Sequence, residues 1–223
     1  MKAVILVSGG LDSATVMAIA QEEGYEIYPL SFDYGQRHNL ELQAVQKLVE
    51  RYKLTDRHKV LKLDFSGTNL SALTSDIEVP KNRDIDETIP ITYVPARNTI
   101  FLSYALGYAE VIGARSIFIG AHSIDYSCYP DCRPEYIDAF EKLANLATKA
   151  GVAGDYFAIK APLLYMNKMQ IIKTGLSLEV DYSITSSCYD PIDGSACGEC
   201  DSCQIRLRAF KSLGLRDPIS YCK

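Results

Sequence analysis

An unbroken apolar run, Ala3-Val4-Ile5-Leu6-Val7, stands near the start of the chain and predicts a strand buried on both faces. Ala14-Thr15-Val16-Met17-Ala18-Ile19-Ala20 follows and predicts a helix. Further strands are predicted over residues 25–32, 60–63, 116–120 and 156–160. Leu40, Ala44, Leu48 and Tyr52 recur every four residues and predict an amphipathic helix. Residues 99–112 are apolar nearly all round, which predicts a buried helix. Residues 135–149, 168–178 and 202–213 carry the remaining helical patterns. Strands alternating with helices predict a doubly wound α/β fold, a mostly parallel sheet with helices on both faces. Residues 64–95 lack periodicity, and so long a loop in a compact domain is usually functional or mobile.

Composition narrows the class. The chain has 223 residues, 48% hydrophobic and 23% charged, which suits one domain over residues 1–223. A net charge of −5 argues against a protein whose main work is binding nucleic acid. No run of 18 apolar residues suggests a membrane span, and no signal-peptide pattern precedes the first strand. A cytoplasmic enzyme is the expectation.

Two local patterns carry chemistry. Ser8-Gly9-Gly10-Leu11-Asp12-Ser13 lies between the first strand and the first helix. Its glycines allow positive φ and close approach to a ligand, and free N–H groups at the helix start favour an anion. Asp12 either caps the helix or holds a metal ion on a phosphate. A tight turn with a serine cap is the plainer alternative. The loop lacks the Lys-Ser/Thr pair of a Walker loop and the G-x-G-x-x-G of a dinucleotide fold. At the other end, Cys188, Cys197, Cys200 and Cys203 are spaced C-x8-C-x2-C-x2-C within residues 186–204. Four thiolates suit a closed, structural zinc site. A [4Fe–4S] cluster is the rival, and disulfides are disfavoured in a reducing compartment. Cys128, Cys132 and Cys222 are not expected to be ligands.

The first loop resembles the S-G-G-[LV]-D-S loop of the N-type ATP pyrophosphatases. That resemblance implies that the loop grips the β- and γ-phosphates and leaves the α-phosphorus open, so that a substrate is adenylated and pyrophosphate released. It implies ATP contacts along Ser8, Gly9, Gly10, Leu11, Asp12, Ser13, Ala14, Thr15, Val16, Met17 and Ala18, with Mg²⁺ accompanying ATP. Three further clusters sit at expected strand ends: Phe32-Asp33-Tyr34-Gly35-Gln36-Arg37-His38, Tyr93-Val94-Pro95-Ala96-Arg97-Asn98, and residues 120–133, which include Asp125-Tyr126-Ser127-Cys128-Tyr129-Pro130-Asp131-Cys132-Arg133. With Ser186-Ser187-Cys188-Tyr189 they make the chain similar, almost end to end, to the 7-cyano-7-deazaguanine synthases, the ligases of queuosine-precursor synthesis. Cys128 departs from the glycine expected in that family.

The resemblance implies that 7-carboxy-7-deazaguanine and ammonia become the nitrile through an adenylated acid and an adenylated amide, in a homodimer. Asp12, Ser13 and Arg97 are then the catalytic candidates, Arg97 as a planar fork for a phosphate or carboxylate. Asp125, Tyr126, Asp131 and Arg133 are the substrate-binding candidates. Loop-stabilising ion pairs are the plainer reading of Asp125, Asp131 and Arg133. The alternatives for the whole chain are a tRNA-modifying adenylating enzyme and a non-catalytic zinc module binding RNA or protein. The first would want a basic surface, and the ATP loop speaks against the second.

Overall fold

The computed structural model describes residues 1–36, 40–65, 71–83, 88–122 and 129–222. Five strands, β1 (Lys2–Leu6), β2 (Glu26–Asp33), β3 (Lys59–Lys62), β4 (Ser116–Phe118) and β5 (Ala158–Lys160), form one sheet in the order β3-β2-β1-β4-β5. Every pairing is parallel. The helices are α1 (Leu11–Glu22), α2 (Leu40–Arg51), α3 (Arg97–Ile112), α4 (Pro134–Ala147), α5 (Lys149–Val152), α6 (Lys168–Ser177) and α7 (Asp201–Ser212). The predicted doubly wound fold is therefore present. Among the described residues no helix is long and apolar enough to cross a membrane.

The alternation of β1 builds two cores. Ala3, Ile5 and Val7 pack with α1, α2, α6 and α7 on one face. Val4 and Leu6 pack with α3 and α4 on the other. Strands with both faces covered need no polar side, which is why β1 reads as a continuous apolar run. The strand order reverses at β1, between β2 and β4, and the reversal opens a crevice beyond the strand C-termini.

Two elements depart from expectation. The helix expected over 135–149 breaks at Thr148, which leaves helical geometry with ψ 151°. Its hydroxyl donates to the Ala144 carbonyl at 2.8 Å and accepts from the Gly151 N–H at 3.1 Å, ending α4 and capping α5. The helix at 99–112 is not buried all round. Leu102, Ala105, Leu106 and Ala109 form its sheet-facing stripe, while Val111 is 84% exposed. The sheet can cover only one side of a helix in an outer layer.

The C-terminal segment folds onto the first core. Arg206 lies buried on α7, with both guanidinium edges satisfied. It donates to Asp217 at 2.7 and 3.0 Å, to the Thr185 hydroxyl at 2.8 Å and to the Tyr182 carbonyl at 3.1 Å. Such an ion pair is sustained only because its remaining donors are also paired.

Candidate active site

The loop between β1 and α1 takes a geometry that only glycine fits at its centre. Gly9 has φ +82°, and a Cβ there would collide with the Glu41 carbonyl at the start of α2. Glycine is thus required both by conformation and by space. The Gly9 carbonyl accepts the Ser186 N–H at 2.9 Å, tying the loop to the segment before the cysteines. Gly10 is the N-cap of α1, and no side chain caps the helix. The first helical bond is Ala14 N–H to the Gly10 carbonyl at 3.1 Å. The Gly10 N–H meets the Ser8 hydroxyl at 3.4 Å, and among the described residues the Leu11, Asp12 and Ser13 N–H groups at the positive end of the helix dipole have no hydrogen-bond acceptor. The Ser13 hydroxyl donates to the Gly10 carbonyl at 3.0 Å and lies 3.3 Å from the Ser8 hydroxyl.

Asp12, in that first turn, faces two groups that the sequence reading did not select. The Lys168 Nζ donates to both Asp12 oxygens at 2.8 and 2.9 Å and lies 2.9 Å from the His122 Nε2. Burial raises the Asp12 carboxyl, but the charge of Lys168, then that of His122, outweighs burial and holds it well below the usual carboxylate range. Lys168 opens α6, where a cation opposes the helix dipole; Asn167 and Gln170 form a capping box that supports the turn. A lysine at a helix start just beyond a strand was the available sequence signal.

These groups line a cavity of about 280 Å³ at the crevice. The first turns of α1, α2, α3, α6 and α7 all reach it, through Asp12, Glu41, Arg97, Lys168 and Asp201. Five positive helix ends thus converge on one space, a field suited to a polyanion. One part of the wall is aromatic: Phe32 stacks on Phe101 with centroids 3.9 Å apart, and Tyr34, Tyr129 and Tyr189 add hydroxyls. Arg97 reaches Tyr34 Oη at 3.4 Å. Burial opposes its charge, yet the neighbouring phenols, Tyr34 first, keep the guanidinium firmly protonated. Ala96 before it takes a left-handed φ of 54°, held by its N–H to Tyr93 Oη at 3.0 Å.

Other candidates fall elsewhere. Ser8, Gly10, Leu11, Asp12 and Ser13 line the cavity, and Gly9 lies beneath it. Ala14, Val16, Met17 and Ala18 instead turn into the hydrophobic core. Thr15 bonds to the Leu11 carbonyl at 2.9 Å and Tyr182 Oη at 2.8 Å. Only the first turn of α1 lines the cavity, because the helix then runs away from it into the core. Asp131 is not in the cavity wall: its carboxylate accepts the Asn98 N–H at 3.0 Å and its carbonyl accepts the Asn98 amide at 2.9 Å, fixing the start of α3. Arg133 is exposed and donates to the Pro130 carbonyl at 3.2 Å. Asp125, Tyr126 and Cys128, like Arg37 and His38, lie outside the described residues.

Cys188, Cys197, Cys200 and Cys203 are buried with all four sulfur atoms within 4.8 Å of one another. The Cys197 N–H donates to Cys188 Sγ at 3.2 Å, and the Glu199 and Cys200 N–H groups to Cys197 Sγ at 3.4 and 3.3 Å. Backbone donors aimed at sulfur stabilise thiolates. The hydrogen bond with Cys200 pushes Cys188 up, and the same bond draws Cys200 down, so the thiols titrate against one another. Lys81 and Asn82 dock on this segment, Asn82 N–H donating to the Glu199 carbonyl at 2.9 Å. Arg83 then closes on Asp201 at 2.7 Å, in the cavity wall.

The parallel sheet and the open phosphate-type loop define an α/β enzyme of the ATP-pyrophosphatase-loop class. In fold the chain is similar to NMN synthetase from Francisella tularensis, with TM-score 0.52 and 19% identity over 96% of this chain and 77% of that one. A predicted subunit of tRNA methyltransferase from Methanocaldococcus jannaschii gives TM-score 0.51 and 16% identity over 100% and 92%. Within that class, the family model for queuosine biosynthesis protein QueC matches residues 2–214, and the chain belongs to that family. It is 58% identical over 224 residues to the 7-cyano-7-deazaguanine synthase of Syntrophotalea carbinolica, covering 100% of this chain and 97% of that protein. The synthase of Rickettsia akari is 57% identical over 225 residues, with 99% of each covered.

The Asp12–Lys168 pair makes a pH prediction. A carboxyl depressed below its unfolded value of 3.8 adds stability that is present above that pH and lost as pH falls. Lys168→Met should lower stability at pH 7 by about 1–3 kcal/mol, since it strips a donor from a part-buried charge. The gap from the unmodified protein should narrow below pH 3.8, as measured by denaturant unfolding across pH.

Proposed function

We propose that the chain is a 7-cyano-7-deazaguanine synthase, converting 7-carboxy-7-deazaguanine, ammonia and ATP to the nitrile. The observation that carries this reading is the uncapped start of α1, opening into a cavity ringed by helix N-termini, in a chain of this family. A carboxylate is a poor electrophile because its leaving group would be oxide. Attack of its oxygen on the α-phosphorus gives an acyl adenylate and expels pyrophosphate. Ammonia displaces AMP to form the amide. The amide oxygen then attacks a second ATP, expelling pyrophosphate as one nitrogen proton leaves, and loss of AMP with the second nitrogen proton gives the nitrile.

The chain's own groups suit these steps. The N–H groups of the first turn of α1, with the Ser8 and Ser13 hydroxyls, would hold the departing pyrophosphate. Lys168 and Arg97 would balance the remaining negative charge, Arg97 by its two-pronged fork. Magnesium entering with ATP would neutralise the triphosphate, and Asp12, shared with Lys168, would be the carboxylate that holds it. The aromatic walls at Phe101, Tyr34, Tyr129 and Tyr189 fit a flat heterocycle. Asp125 and Tyr126 stay in the proposal as substrate contacts from the 120–133 loop. Asp131 and Arg133 enter it only through their support of Asn98 and that loop.

Zinc fits the cysteine site. With bonds of about 2.3 Å, a tetrahedron has sulfur–sulfur edges of about 3.8 Å, and the Cys197–Cys203 sulfur atoms stand 3.9 Å apart. A cubane with its own sulfides would hold the thiolates farther apart. A closed shell of four thiolates leaves no position for water, so its role is structural. We place the enzyme in the cytoplasm as a homodimer using free ammonia; the exposed Val111, Leu146 and Val152 supply apolar area for a partner copy.

Two tests follow. With γ-labelled ATP, label should appear as pyrophosphate alongside AMP, and Ser13→Ala should cut turnover about 10²–10³-fold; ADP with labelled orthophosphate would refute the mechanism. Elemental analysis should find one zinc per chain, lost with loss of stability in Cys200→Ala and kept in Cys222→Ala. Iron with acid-labile sulfide in its place would refute the zinc assignment.

A further inference from the structure

One acid stands on the apolar stripe of α2. Glu41, Ala44, Val45, Leu48 and Val49 follow the spacing of a single helix face, and the four apolar members are buried. Glu41 therefore points inward, and it lines the cavity beside Leu42 and Val45. Its helix is held there by the close approach of the Glu41 carbonyl to Gly9 of the phosphate loop. Among the described residues no group donates a hydrogen bond to its carboxyl or forms an ion pair with it, and Arg97 acts on it by charge alone. A half-buried carboxylate with no such partner among the described residues is costly to hold ionised. A merely structural acid would have partners. This one is left facing the space where substrate is to react.

We infer that Glu41 is the proton acceptor for the substrate nitrogen, taking N–H protons as the amide and then the nitrile form. This rests on the synthase reading above. Attack of the amide oxygen on ATP releases the first of its two N–H protons, so in the last step the adenylated amide carries one N–H. That proton passes to the Glu41 carboxylate, and the N–H electron pair becomes the third carbon–nitrogen bond. The carbon–oxygen bond breaks, and its electron pair leaves on the phosphate oxygen of AMP. Glu41 then releases the proton to water. In amide formation the attacking nitrogen loses its excess proton in the same direction while AMP departs.

The surroundings suit that task. Burial pushes Glu41 up to about 7, only partly offset by the charge of Arg97, so the acid can both take and return a proton near neutrality. The other titratable groups lining this space are Tyr34 beyond β2, Arg97 on α3, Tyr129 and Cys132 ahead of α4, Tyr189 beside the cysteines, the Arg83–Asp201 pair and Arg206, with Asp12, His122 and Lys168 at the far end. Burial pushes Tyr34 up to about 12, and Tyr129 with burial pushes Tyr189 well up, so neither phenol competes for the proton. Asp12 is held ionised by Lys168, and His122 is engaged with both.

The test uses the full-length enzyme with the primary amide of 7-deazaguanine and ATP, so that ammonia, which itself titrates, is not required. Nitrile formation by the unmodified enzyme should rise with pH through about 7. Glu41→Gln should slow this step about 10²–10⁴-fold and abolish the rising limb. Glu41→Asp should keep the limb at a reduced rate. Pyrophosphate release from ATP and the carboxylic acid, which moves no nitrogen proton, should fall far less in Glu41→Gln than nitrile formation does. Nitrile formation by Glu41→Gln at the unmodified rate would overturn the assignment, and so would equal losses in the acid and amide assays. If the unmodified enzyme forms no nitrile, the synthase reading itself fails, and this inference with it.

Discussion

Everything at this site depends on the first turn of α1 remaining uncapped. A helix start normally satisfies its N–H groups with a side chain from the N-cap; here the N-cap is Gly10, which has none to offer. Gly9 must be glycine because α2 lies against it, and the Ser186 N–H holds its carbonyl from the other side. The loop is thus clamped between two elements with its donors facing outward. Asp12 in the same turn would repel a triphosphate if it stood alone. Lys168 removes that conflict, which explains a cation at the start of α6 where the dipole disfavours one.

The cysteine segment shares that clamp. Ser186 and Ser187 precede Cys188 and line the cavity, Tyr189 follows it into the same wall, and Asp201 sits directly after Cys200. Gathering the four sulfur atoms therefore sets the position of groups far from them in sequence. The long stretch after β3 is drawn in by the same segment, through Asn82 and Arg83. The four-cysteine cluster thus holds one wall of the cavity and one side of the loop between β1 and α1.

Local signals made the strands, the helices, the phosphate loop and the cysteine set readable. The continuous run of β1 and the four-residue period of α2 follow from what each face touches. What escaped was non-local. Lys168 reads as an ordinary first-turn residue until β5 brings it to Asp12. Glu41 interrupts an apolar stripe, but period alone does not say what lies across from it. Asp131 carries a charge in a loop expected to bind substrate, and only the fold shows that Asn98 claims it. Ala14 to Ala18 belong to the same sequence stretch as the loop, yet a helix turns about 100° per residue, which takes them into the core after Ser13.

The central claim is that one cavity presents the α-phosphorus twice, first to a carboxylate and then to the amide made from it. Turnover of 7-carboxy-7-deazaguanine labelled with ¹⁸O in both carboxylate oxygens tests it directly, by mass spectrometry of the released nucleotide. The account predicts two AMP per nitrile, each carrying one ¹⁸O in its phosphate, and none in pyrophosphate. Label in orthophosphate, pyrophosphate or water, with unlabelled AMP, would contradict it.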